Sequence, residues 1–244
     1  MFERLIEAGF DIAMRNHAGA ILSVDFPDIV AELEEALLDV KIPVEELIGS
    51  GGGEAASTQR LRRRLYSEGW PKHNFDFKLI VDGVERVANS HEIDHVRRTD
   101  GGTIACEIEW NNKDPFFDRD LENFQRLHAQ SAISVGVLIT RGASLQASML
   151  EFVEKCITKH GFVAEEEMVE TLNMKDRTKR QREAVAKLLE QKESFPKAFS
   201  RQFVSDKFGA ATTHWNKLED RIHRGVGNPC PLLLIGLPSG VVVE

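Results

Sequence analysis

The sequence predicts a mixed α/β fold: a β-sheet with antiparallel and parallel parts, flanked by helices on both faces. Three observations carry this reading. Two hairpin signals, Asp82-Gly83 and Asp100-Gly101, interrupt strand-like runs in the first half of the chain. Buried-strand runs then alternate with amphipathic helical stretches, the pattern of helices covering a sheet. Finally, 42% of the 244 residues are hydrophobic, enough to fill one large core or a core with a smaller lobe.

Each element has its own warrant. Pro27 to Val40 reads as a helix, with a proline in its first turn and an apolar stripe of Ile29, Leu33, Ala36, Leu37 and Val40. Gly49-Ser50-Gly51-Gly52-Gly53 reads as a flexible loop. Ser57 caps a second helix that carries Arg60, Arg62, Arg63 and Arg64 to about Tyr66, and Gly69 ends it. Asn74 to Val81 is a strand closed by the turn at Asp82-Gly83, and a strand around Glu92 to Arg98 follows. Beyond Asp100-Gly101, Thr103 to Asn111 is its return strand. A helix from Pro115 to about Gln130 presents Phe117, Leu121, Phe124 and His128 on one face. Ser134 to Thr140 is a buried strand, and residues 144–160 form a helix with Leu145, Met149, Phe152, Val153 and Cys156 inward. Helices over 178–192 and 212–222 and a last buried strand, Pro231 to Leu237, complete the list. The expected organisation is one domain over 1–244, with a core over about 57–160 and a core-completing, DNA-contacting part over about 173–244.

No stretch of about 18 apolar residues is present, so no membrane span is expected. The N-terminus lacks a basic-then-apolar leader pattern. Three widely spaced cysteines, Cys106, Cys156 and Cys230, fit neither a disulfide framework nor a zinc ribbon, and the expected setting is the reducing cytoplasm. The formal net charge of −8 speaks against a polyanionic partner, but the charge is segregated. Residues 1–54 hold 12 acids against three Lys or Arg, whereas residues 173–224 hold 13 Lys or Arg against seven acids. A polyanion can therefore meet one face while the rest stays acidic.

The second hairpin carries the chemistry. A two-residue turn at Asp100-Gly101 sets Asp94 opposite Glu107, with Cβ atoms about 5 Å apart on one face. A turn one residue later sets Asp94 opposite Glu109, and a three-residue loop breaks the parity. Side chains alternate, so Glu107, Glu109 and Asn111 share that face while Ile108 and Trp110 point away. An E-x-E pattern is ordinarily an exposed acidic face paired with lysines or arginines. Three clustered carboxylates repel one another unless a cation neutralises them, and hard oxygen ligands suit Mg²⁺. Such an ion polarises a phosphodiester oxygen and acidifies an attacking water.

Residues 93–94 together with Cys106-Glu107-Ile108-Glu109-Trp110-Asn111-Asn112-Lys113-Asp114-Pro115-Phe116-Phe117-Asp118-Arg119-Asp120-Leu121 resemble type II restriction endonucleases of the BglII and BstYI group. That group lies within the restriction-endonuclease-like fold marked by the P-D-(D/E)-x-K motif. A second patch is Thr212-Thr213-His214-Trp215-Asn216-Lys217-Leu218 with Gly227 to Leu233; the resemblance does not reach residues 1–56. The motif lysine is absent and Glu109 stands in its place, as in BamHI-like E-x-E sites, so Glu109 or the metal must activate water. The resemblance implies Mg²⁺ on Asp94 and Glu107, with Glu109 orienting or deprotonating water. It also implies a homodimer that cuts both strands of double-stranded DNA at a short palindromic site, within a restriction-modification system that holds a cognate DNA methyltransferase, with no stable complex implied.

Expected DNA contacts are Asn111, Lys113, Arg119, Arg141, Thr212, Thr213, His214 and Lys217. Lys113 reads as a phosphate contact, and residues 212–217 sit at a helix start, a favourable place to grip phosphate. The four arginines at 60–64 read equally as phosphate contacts or a solvated helix face. His91 and His95, about 13 Å apart if on a strand, read as structural rather than as a zinc pair, and Trp110 and Trp215 as core. Two other functions fit the same residues. A repair or junction-resolving nuclease of this fold would read DNA shape, and a non-catalytic DNA-binding protein would use the helices over 178–192 and 212–222. The acid cluster opposes the latter, since it would repel phosphate without a metal.

Overall fold

The computed structural model describes residues 1–49 and 55–244, without the side chains of Leu79, Val87 and Asn89. The glycine-rich run, apart from Gly49, lies outside the described residues. The first segment holds α1 (Glu3–Glu7), β1 (Asp11–Arg15), α2 (Ala18–Asp25), α3 (Pro27–Leu38), β2 (Ile42–Pro43) and α4 (Val44–Ile48). Next come α5 (Ala56–Ser67), β3 (His73–Val81), β4 (Val84–Ile93), β5 (His95–Thr99), β6 (Gly102–Glu109), α6 (Pro115–Ala129), β7 (Val135–Arg141) and α7 (Ala143–His160). The last part comprises α8 (Glu165–Leu172), α9 (Lys179–Glu190), α10 (Phe195–Lys207), α11 (Trp215–His223), β8 (Leu232–Leu237) and β9 (Val242–Val243).

The central sheet has the order β1-β8-β7-β6-β5. Its inner pairs β6–β7 and β7–β8 are parallel, and both outer pairs are antiparallel. Every residue of β7 and β8 is buried, as their unbroken apolar runs demand of strands covered on both faces. On one face Ile104, Cys106, Val137 and Ile235 meet Leu22, Leu33, Met149 and Val153 of the helices. On the other, Ala105, Leu138 and Leu234 meet Phe117, Leu121 and Phe124 of α6 and Leu218 of α11. Gly136 on β7 permits that second layer: a Cβ there would lie 2.6 Å from the Phe124 ring. The mixed α/β sheet with helices on both faces is thus the observed architecture.

Five features depart from the sequence reading. The strand around Glu92 to Arg98 is two strands: β4 pairs with β3 in a separate two-stranded sheet, β5 pairs with β6 in the central one, and Asp94 is the bend between them. β1 caps the open edge of β8, so the first 15 residues help build the sheet. The helices α8 and α10 had no counterpart in the sequence reading. The last helix begins at Trp215, and residues 212–214 form the loop before it. Likewise Ala55, not Ser57, precedes α5, and it makes no side-chain cap.

Candidate active site

The turn at Asp100-Gly101 has two residues, as Thr99 pairs with Gly102 and His95 with Cys106. One step further, Asp94 comes opposite Glu107. Ala105 of β6 packs in the α6-side core, so the alternation puts Glu107 and Glu109 on that same face, beneath α6. Both are nearly inaccessible, at 5% and 3% exposure. Asp94 is half-exposed at the bend, within 3.7 Å of Lys72 Nζ and 4.0 Å of Arg62. It lines a cleft of about 360 Å³ shared with Arg62, Ile108, Trp110, Asn111 and Phe208. Asp94 is the one acid of this group that lines the cleft; Glu107, Glu109 and Asp120 do not.

A fourth acid completes the group. Asp120 of α6 is fully buried, with Arg119 bound to its Oδ1 and its Oδ2 without a hydrogen-bond partner. Arg119 Nη2 also reaches Glu109 Oε1 at 3.3 Å, and Asn112 Nδ2 donates to Glu109 Oε2 at 2.6 Å. Burial, then repulsion from Asp120, Asp94 and Glu109, pushes Glu107 up to about 9. Burial and the neighbouring Asp120 raise Glu109, and burial raises Asp120. Glu109 and Asp120 together are thus poised to share a proton that would satisfy the orphan oxygen. The signal for Asp120 was present in the sequence. It sits three residues after Phe117 and four before Phe124, a charged residue on the apolar stripe of an amphipathic helix.

The structure brings the two recognisable sequence patches into contact. Lys113 bridges to Thr212, Thr213 N donates to Asn112 O at 2.9 Å, and Asn112 N donates to Thr213 Oγ1 at 3.1 Å. Arg141, at the end of β7, holds this junction from below. Its Nη2 donates to Thr213 O and Thr212 Oγ1, both at 2.7 Å, and its guanidinium stacks on Phe208. Arg141 and Thr213 are fully buried and His214 is 6% exposed. These three are buried, and Arg141 and Thr213 hold the 212–213 segment beside residues 112–113. Lys113 and Arg119 are exposed, and Asn111, Thr212 and Lys217 are half-exposed, the last within 3.8 Å of Asp114. Of the two histidines weighed as a zinc pair, His95 is buried with Nδ1 at 3.3 Å from Trp70 O, whereas His91 lies on the other sheet.

The donor set here is wholly carboxylate oxygen, which fits a hard divalent cation, and one oxygen of the buried Asp120 has no hydrogen-bond partner. Among the described residues, three ligand side chains with all their ligand atoms within 4.8 Å of one another occur at Glu45, Cys156 and His160, not among these acids. So open an arrangement suits an ion that retains waters and takes substrate phosphate into its shell. Among the described residues no helix is long and apolar enough to cross a membrane.

No curated protein matches the chain. The family model described as restriction endonuclease BglII/BglIII, however, matches residues 10–237. The match takes in the β5–β6 hairpin, the 212–218 patch and most of the N-terminal segment that had shown no resemblance. The chain belongs to the BglII/BglIII family of type II restriction endonucleases.

Proposed function

We propose that this enzyme hydrolyses double-stranded DNA at a short palindromic sequence in a Mg²⁺-dependent reaction, as a homodimer whose two-fold axis matches that of its site. Membership of a DNA-cleaving family favours this over a repair nuclease or a non-catalytic binding protein. The observation that carries the reading is the burial of Glu107 and Glu109 side by side on β6, with Asp94 at the adjoining bend and Asp120 above. Burying so many like charges is costly unless the site serves a cation.

Asp94 and Glu107 would hold the metal. When bound, Mg²⁺ polarises the scissile phosphate and acidifies water. Glu109 orients the attacking water and takes its proton as the new P–O bond forms and the bridging P–O bond breaks. Its raised proton affinity suits a base working near neutral pH. Asn112 and Arg119 fix the carboxylate of Glu109, and Arg119 offsets the charge of the acid pair. Lys113, Thr212 and Lys217 lie on the exposed rim as phosphate contacts, with Asn111 at the cleft and Arg119 beside the acids. Arg141, Thr213 and His214 position that rim. A cognate DNA methyltransferase is expected in the same system, with no stable complex implied.

The test is plasmid DNA incubated with the purified protein and Mg²⁺, beside Glu107→Ala. Discrete fragments with wild type and none with the variant are expected, and sequenced ends would give the site. Intact DNA from both, with binding indifferent to divalent ions, refutes the reading.

A further inference from the structure

Away from the acids of β6, a second ligand cluster joins the N-terminal segment to α7. Cys156 and His160 stand four residues apart near the end of α7, one helical turn and so on one face. Glu45, in the first turn of α4, reaches the same spot, with its Oε1 3.4 Å from His160 Nε2. The thiol sulfur, imidazole nitrogen and carboxylate oxygen all lie within 4.8 Å of one another. We propose that Glu45, Cys156 and His160 form a zinc site, one Zn²⁺ per chain, that clamps α4 to α7.

The donor set selects the metal. Sulfur and imidazole prefer borderline-soft Zn²⁺ over hard Mg²⁺, and one sulfur, one nitrogen and one oxygen make three of the four ligands that zinc takes. Water supplies the fourth, since Glu45 and His160 are each about one-third exposed. The frame is organised before metal arrives. Lys207 Nζ donates to Leu47 O at 2.8 Å and Gly49 O at 3.2 Å, fixing the end of α4. The His160 ring stacks on Phe162 at 5.1 Å between centroids and 5° between planes, which restricts its rotation. Cys156 is reduced and buried, yet it also lines a groove of about 900 Å³ with Val44 and Lys159, which gives an ion a path to the sulfur. The protein uses its nuclease acids for one kind of cation and this trio for another.

Cobalt(II) is the probe. The full chain, reduced, stripped of metal and dialysed, is titrated with Co²⁺ and read in the near ultraviolet for thiolate-to-cobalt charge transfer. The expected band saturates at one Co²⁺ per chain, collapses on addition of one equivalent of Zn²⁺, and survives millimolar Mg²⁺. Cys156→Ser abolishes it, and Glu107→Gln leaves it intact. His160→Gln, at a half-exposed position that folding tolerates, weakens Co²⁺ binding by at least about tenfold. Cys106 and Cys230 are sealed in the core and cannot supply the band. Absence of the band in wild type, its persistence in Cys156→Ser, or unchanged affinity in His160→Gln overturns the proposal.

Discussion

Glu107, the proposed cation ligand, destabilises the fold that buries it. Its carboxyl titrates at about 9 in the fold against 4.5 in an open chain. A folded value above the unfolded one means that the unfolded state releases its proton first. Stability from this group is therefore complete below about 4.5 and drains away as pH rises toward 9. Metal-free protein should show a falling melting temperature across that window, and a divalent ion should raise it by an increment that grows with pH. Scanning fluorimetry at two pH values, with and without Mg²⁺, checks this; an equal increment at both would contradict it. Glu107→Gln should remove the pH-dependent loss and melt no lower than wild type near pH 9, while abolishing cleavage. Glu109→Gln should slow single-turnover cleavage by about 10²–10⁴-fold with DNA binding kept, the range expected for loss of a proton acceptor. Asp120→Asn tests the shared proton: the alkaline limb of the pH–rate profile should move, whereas a merely structural aspartate would leave the profile's shape alone.

At the scale of elements, the site depends on a junction that joins distant parts of the chain. Residues 112–114 and 211–213 run side by side, and Arg141 bonds the second segment to the end of β7. Arg141→Ala would strip a fully buried side chain from beneath this loop and leave the Thr213 carbonyl unpaired. A loss of about 3 kcal/mol in urea unfolding is expected, with cleavage reduced because the rim is no longer held. The sequence revealed these elements unevenly, for physical reasons. Strongly periodic or strongly apolar stretches, α3, α6, α7, β7 and β8, were legible within a residue or two of their ends. The Asp100-Gly101 turn placed Asp94, Glu107 and Glu109 together because a two-residue hairpin fixes register. The break at Asp94 was not legible: β4 and β5 are one continuous extended run, and the bend arises because each half finds a different partner. β1 is five residues of mixed polarity whose strand character comes from pairing with β8. Arg141 followed a buried strand and looked ready for a cleft, but its direction depends on a loop some 70 residues away, which no local pattern encodes.

Taken whole, the molecule is closed by strands from its two ends. β8 lies between β7 and β1, and β1 contributes the edge of the sheet. Removing residues 1–16 would bare the backbone of an entirely apolar strand, the setting in which sheets associate edge to edge. Such a truncation should elute as aggregate in size-exclusion chromatography; a well-behaved monomer or dimer would show that β1 is dispensable. The strand order has one more consequence, for a chain still being made. Asp94, Glu107 and Glu109 leave the ribosome long before Leu232–Leu237, and until β8 arrives the open edge of β7 has no partner on that side. The 212–214 loop that frames the acids is also late to emerge. A nascent chain therefore carries the side chains proposed to catalyse cleavage without the sheet that assembles them, and any cutting they support waits until synthesis is nearly done.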